Sequence, residues 1–259
     1  MAIELNDGPG TGTISRAMHL LTLLADSTGP VTVKQVGEHL KVPPSTAHRL
    51  LNLLATESFV EIVGNGYYGI GSRLYRVAAR VSRNVSPATV SQPIIEQLAT
   101  KYNETVLLGL YVPAERAMMF SVRADGSQKL TYQIELHRPL SLYWGASGKS
   151  ILAFLPDETI TSILRSESNS PATGAPPPSL EDGMSEIHAV RERGWAVSEG
   201  QKLPGARGVA APIFGPSGVI GCVCLTSPRE RLPRSDVEGI GKDVMDKANE
   251  ISSLLGGRQ

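Results

Sequence analysis

The stretch that most constrains this chain is residues 42–60, VPPSTAHRLLNLLATESFV. Ala47, Leu50, Leu51 and Leu54 recur at the three- and four-residue spacing of one helical stripe, which predicts a helix with that side buried. Ser45, Thr46, His48, Arg49 and Asn52 fall on the opposite side. Hydroxyls, an imidazole and a guanidinium in the first two turns suit base edges and phosphates, because a helix entering the major groove presents its N-terminal residues first. An ordinary amphipathic surface helix has the same spacing, so the flanking sequence has to separate the two.

Upstream, Thr13 to Asp26 is expected to be a helix through Ile14, Ala17, Met18, Leu21 and Leu24, with Thr13 or Ser15 as its N-cap. Residues 1–12 form a lead-in expected to be poorly ordered. Ser27-Thr28-Gly29-Pro30 breaks the helix, and Thr32 can cap a short one in which Val33, Val36 and Leu40 face inward. Lys41-Val42-Pro43-Pro44 then turns the chain; proline suits a first helical turn because its missing N–H would have had no partner there. Downstream, Asn65-Gly66 separates Phe59–Val63 from Tyr67–Ile70, and both turn positions tolerate positive φ, which signals a hairpin. Helix, short helix, turn, helix and hairpin in that order predict a winged helix-turn-helix over residues 13–71. Lys41 and Tyr67 join the candidate DNA contacts, with packing on the helices as the alternative for at least one of Tyr67 and Tyr68.

Ser72 to Asn84 spaces Leu74, Val77, Ala78 and Val81 as a helix, with Arg73, Arg76, Arg80 and Arg83 on the remaining surface. It is read as a linker helix, 72–87, ended by Ser86-Pro87. Residues 88–259 are expected to form a separate α+β domain that opens on a helix to Tyr102. Strand runs follow at 105–112, 116–122, 130–136, 195–199, 207–214 and 219–226, with helices at 149–154, 157–165, 180–193 and 237–255. The tight turns between neighbouring strands predict an antiparallel sheet.

The 259 residues carry no net charge, yet residues 11–85 hold eight Lys+Arg against four acids. A local basic excess of this kind is compatible with phosphate contact despite the neutral total. The acidic, polar start and the lack of any apolar run near ~18 residues point to a cytoplasmic protein with no membrane partner. Cys222 and Cys224, two apart on a strand, point to one face and are poorly placed for a disulfide with each other. The histidines at 19, 39, 48, 137 and 188 lack metal spacing, so no metal or cofactor is expected.

Gly148-Lys149-Ser150 imitates the end of a phosphate-binding P-loop, but the glycine needed at 143 is Tyr143. Gly145-Ala146-Ser147-Gly148 lacks the spacing of a nucleophile elbow. Two readings of this run remain: backbone N–H groups from Ala146 to Lys149 offered to an anionic or polar small molecule, or a tight turn that needs small residues. Pro204 to Gly208 is a second such place, and Cys224 and Thr226 on one strand face would line the same cavity.

These residues together resemble the IclR family of bacterial transcriptional regulators, from Ile14 to Leu255. The resemblance is carried by Ser15-Arg16-Ala17, Ser45 to Leu51 and Tyr67-Tyr68-Gly69-Ile70-Gly71, then by Pro139-Leu140, Ala146 to Ser150, Gly194-Trp195-Ala196-Val197 and Gly208 to Phe214. It implies a winged helix-turn-helix joined by a helix to a GAF-like effector-binding and oligomerisation domain. It further implies a homodimer or pair of dimers on palindromic operators in double-stranded DNA, controlled by a small metabolite. Carried over by position, the effector pocket comprises Leu130, Ala146, Ser147, Ser198, Gly208, Cys224 and Thr226. Pro44 stands where the family often has a basic residue, Ser198 and Gln201 where an acid is common, and Gly208 where Cys or Ser is common. Those losses predict a less polar pocket. Two rival expectations are a hydrolase around Ser147 and Lys149, and a winged helix used for protein contact alone.

Overall fold

The computed structural model describes residues 12–84, 86–129 and 131–257, with residues 82–84 described by their backbone alone. The expected disorder of the lead-in, up to residue 11, lies outside the described residues, as do Leu130 and the side chain of Arg83. The chain divides into two compact units, Met1–Val85 and Ser86–Gln259.

In the first unit, α1 (Thr13–Asp26) leads through β1 (Val31–Thr32) to α2 (Val33–Leu40) and α3 (Pro44–Thr56). Thr32 caps α2 as expected and exchanges bonds with Gln35 in a full capping box. Gly12, with no side-chain bond, sits at the N-cap of α1 instead of Thr13 or Ser15. Lys41 takes the left-handed conformation at the end of α2, and Pro44 opens α3, which buries Ala47, Leu50 and Leu51. Leu51 is fully buried, so Leu51→Ala would cost roughly 2–5 kcal/mol. Strands β2 (Val60–Gly64) and β3 (Tyr67–Ile70) form the wing, with β1 paired to β3. Asn65 and Gly66 both hold positive φ at its tip. Helix α4 (Ser72–Asn84) follows and is tied back by the Arg73 amide, 2.9 Å from the Ser58 carbonyl.

The expected inward stripe of α1 is corrected in part. Leu20 and Leu24 are buried, but Ile14 is 76% and Met18 58% exposed. On α4, Tyr75, Val77 and Val81 are exposed too, so these helices carry apolar surface that their own unit does not cover.

The second unit begins with α5 (Pro87–Tyr102), then β4 (Thr105–Val112) and β5 (Ala117–Ala124). An irregular stretch leads to α6 (Ala146–Leu152), α7 (Asp157–Ser166) and α8 (Leu180–Arg193). Strands β6 (Ala196–Glu199), β7 (Ala206–Gly215) and β8 (Gly218–Pro228) precede the closing α9 (Val237–Leu254). The five strands form one antiparallel sheet in the order β5-β4-β8-β7-β6. Its alternating residues separate two cores: Val106, Leu108, Val209, Val223 and Leu225 pack with α5 and α9, while Leu107, Met118, Phe120, Cys222 and Cys224 face α6 and α8. The strand expected at 130–136 does not form in its described residues; the chain there is irregular, with Leu140 bridging to Met118. The Tyr132 hydroxyl donates across to the Pro204 carbonyl at 3.1 Å, and Leu140 and Met118 exchange backbone bonds at 2.7 and 3.0 Å.

Candidate nucleic-acid interface and ligand pocket

On α3, Ser45, His48, Arg49 and Asn52 are exposed and Thr46 is half-exposed, all away from the buried stripe. A periodicity that buries three residues leaves these donors outward. His48 Nδ1 and Asn52 Nδ2 lie 3.4 Å apart, one helical turn from each other. Lys41 is exposed at the turn before α3. The two wing tyrosines part company: Tyr67 is 47% exposed, whereas Tyr68 is buried in the core with Leu20, Leu24 and Val60. Arg73 is occupied elsewhere, bonded to Glu57 at 2.5 Å and stacked over Phe59.

The second unit encloses a cavity of about 600 Å³ on the face of the sheet that carries α6. Its floor is a row across three strands: Ser198 pairs with Gly208, and Gly208 with Thr226. Cys224 stands two residues along on the same face of β8. Ala146 and Ser147 enter from the start of α6, so six of the seven expected effector residues line one cavity. Gly208 keeps the floor open, because a side chain there would meet Ser198 Oγ at 3.4 Å and the Ala146 methyl at 3.5 Å. Burial pushes the Cys224 thiol pKa upward, so this sulfur stays protonated.

Sequence reasoning missed part of the lining. Trp144, Ser141, Glu167 and Lys202 line the cavity from irregular segments that leave no periodic signal, beside Gln201, which the resemblance had pointed to only as a position where an acid is common. The Ser141 hydroxyl accepts from the Tyr143 and Trp144 amides at 3.0 Å and donates to Glu167 Oε2 at 2.8 Å. Trp144 Nε1 donates to the Ser168 carbonyl at 2.8 Å. Lys202 and Glu167 bring charged groups to this lining from the loops, away from the strand positions 198 and 208.

The small-residue run serves mainly to pack α6. Gly145 holds φ +89°, which favours glycine, and a Cβ on Gly148 would lie 2.6 Å from the Ser141 and Leu142 carbonyls. The amides expected to meet a ligand are partly taken. Ala146 N–H donates to Ser198 Oγ at 2.8 Å, Gly145 N–H to Gln201 Oε1 at 3.3 Å, and Lys149 N–H to the Gly145 carbonyl. Lys149 is fully buried, ion-paired with Glu186 and 4.8 Å from the Tyr143 ring centroid. The Tyr143 hydroxyl donates to the other oxygen of Glu186 at 2.7 Å. Lys149 is therefore bound up in a buried pair, neither reaching for phosphate nor standing as a base beside Ser147. Among the described residues, no cluster of His, Cys, Asp or Glu could hold a metal.

A winged helix-turn-helix in one unit and a ligand-sized cavity in the other define a DNA-binding regulator with a sensory domain. The chain belongs to the IclR family: the description "Bacterial transcriptional regulator IclR C-terminal" matches residues 80–253, and "IclR helix-turn-helix domain" matches residues 13–63. It is 24% identical over 257 residues to the transcriptional repressor IclR of Escherichia coli K12, covering 96% of this chain and 93% of that protein. An IclR transcriptional regulator from Silicibacter sp. TM1040 superposes with a TM-score of 0.84 at 24% identity, covering 95% of this chain and 97% of that one. An IclR homologue of Microbacterium hydrocarbonoxydans, complexed with 4-hydroxybenzoate, matches at TM-score 0.59 and 20% identity over 94% of this chain and 99% of that one. Relatives of this chain are transcriptional regulators, and among its described residues no helix is long and apolar enough to cross a membrane.

Proposed function

We propose that this protein is a cytoplasmic repressor that binds a palindromic operator and changes its DNA affinity when a small molecule fills the cavity of the second unit. Lys41, Ser45, Thr46, His48, Arg49, Asn52 and Tyr67 contact the DNA; Ala146, Ser147, Ser198, Gly208, Cys224 and Thr226 contact the effector. The observation that carries this reading is the outward, polar face of α3 beside an exposed wing. The 4-hydroxybenzoate in the Microbacterium homologue supports a small-molecule occupant of the cavity. Relatives named as repressors support the sign.

Fluorescence anisotropy with the promoter DNA of the protein's own gene tests this directly. Phosphate contacts release counterions, so log affinity should fall linearly with log salt at a slope of about −0.9 per contact. Binding that ignores salt and survives Arg49→Ala would leave the winged helix as a protein-contact module instead.

The protein acts as a homodimer, or a pair of dimers, in this reading. Ile14 and Met18 on α1 and Val77 and Val81 on α4 are apolar, exposed and one or two turns apart on their helices, the pattern of a surface completed by a second copy. Sedimentation of Met18→Glu combined with Val81→Glu should show a smaller species than wild type, and an unchanged species would remove α1 and α4 from the interface.

A further inference from the structure

The cavity holds one cation whose partner is missing. In this unit the fully or nearly buried Lys149 and Arg207 each face a carboxylate, Glu186 and Glu199 respectively. Lys202, half-buried and lining the cavity, has no carboxylate partner among the described residues; its Nζ makes a single long bond, 3.4 Å, to the Ser141 carbonyl. The stem lies along Gly145, where an added Cβ would meet Lys202 Cβ and Cε at 3.4 Å and Cδ at 3.7 Å. Among the described residues no carboxylate stands within ion-pair distance of Lys202. Glu167 accepts from the Ser141 hydroxyl and acts on Lys202 only at longer range, Glu135 is ion-paired with Arg138, and burial keeps the thiols of Cys222 and Cys224 protonated. Burial also pushes the Lys202 pKa down to about 8, opposed more weakly by the Glu167 carboxylate.

We propose that Lys202 is the anchor for a carboxylate-bearing effector, in place of the Gly145 and Ala146 amides, which Gln201 and Ser198 have already engaged. A half-buried ammonium lining a pocket with no directly paired carboxylate is stabilised by an incoming anion, and a neutral analogue of the same shape does not supply that charge. The sequence lacks an acid at Ser198 and Gln201, and the one acid of β6, Glu199, is ion-paired with Arg207 and Arg234, so it is not a partner for Lys202. This inference rests on the cavity being the effector site.

The test pairs acids with their neutral amides on the full-length protein: acetate with acetamide, benzoate with benzamide, and 4-hydroxybenzoate with 4-hydroxybenzamide. Calorimetric titration should find at least one acid binding at least about 30-fold more tightly than its amide. Lys202→Met should level the two, and Lys202→Arg should keep the preference. Since the charged amine is the binding form, wild-type affinity for the acid should hold below pH 8 and fall above it, approaching about tenfold per pH unit, while Lys202→Arg stays flat. A panel in which no acid beats its amide, or a preference that survives Lys202→Met, overturns the assignment. Anisotropy on the same promoter DNA keeps the two readings apart. Acids that bind through Lys202 without changing DNA affinity sink the effector reading alone; amides that bind as well as acids and do change it sink the Lys202 assignment alone.

Discussion

The polar groups of α3 and those of the cavity have opposite histories. On α3 they are outside because the buried stripe of Ala47, Leu50 and Leu51 leaves them there, and the His48–Asn52 approach at 3.4 Å is the closest they come to engaging one another. Around the cavity several polar groups are already engaged inside the protein: Ser198 with Ala146, Gln201 with Gly145, Ser141 with Glu167, and, behind the lining, Tyr143 and Lys149 with Glu186. A surface that reads a macromolecule keeps its donors free, because water satisfies them until the partner arrives. Groups in the wall of a pocket have fewer water partners than those on an open helix face, so more of them are satisfied by the protein itself.

That contrast can be broken most severely at Glu186. Glu186→Ala strands the buried ammonium of Lys149 and should lower the stability of the second unit by about 3–5 kcal/mol, while replacing Lys149→Met and Glu186→Gln together should recover most of it. Thermal unfolding of the three proteins decides the matter, and an unperturbed Glu186→Ala would mean the pair is not holding the wall of α6. Arg49→Ala probes the outward face, where folding should be untouched and DNA affinity should drop by about 1–3 kcal/mol. A loss confined to one operator position marks a base contact; a uniform loss marks a phosphate. The smallest effect is sought at Thr32, which presents no group to DNA in this reading but fixes the start of α2. Thr32→Ala removes the capping box and should cost about 1 kcal/mol of stability in the first unit, measured by chemical denaturation, with salt dependence of DNA binding preserved.

Legibility in the sequence followed the range of the interactions. The capping box at Thr32, the Asn65-Gly66 turn and the polar side of α3 depend on residues within a few positions of one another, so spacing alone announces them. The cavity floor was half local: period-two alternation puts Cys224 and Thr226 on one face, and the family resemblance supplied Ser198 and Gly208 from other strands. The strand expected at 130–136 failed because apolar residues there pack down individually against the core from an irregular path. Ile14 and Met18 misled for a related reason, since periodicity reports that a stripe is apolar and not what covers it.

The sequence by itself determined the order of elements, the face that α3 presents and the small residues that admit α6 to the sheet, because each follows from backbone geometry and local spacing. Only the tertiary structure decided which charges are spent and which remain. The sequence singled out Lys149 and gave no sign of Lys202, but folding brings Glu186 to the first and leaves the second lining a cavity with no ion-paired carboxylate among the described residues. The balance between desolvation and a counter-ion is settled by neighbours distant in the chain, and that is what spacing cannot express.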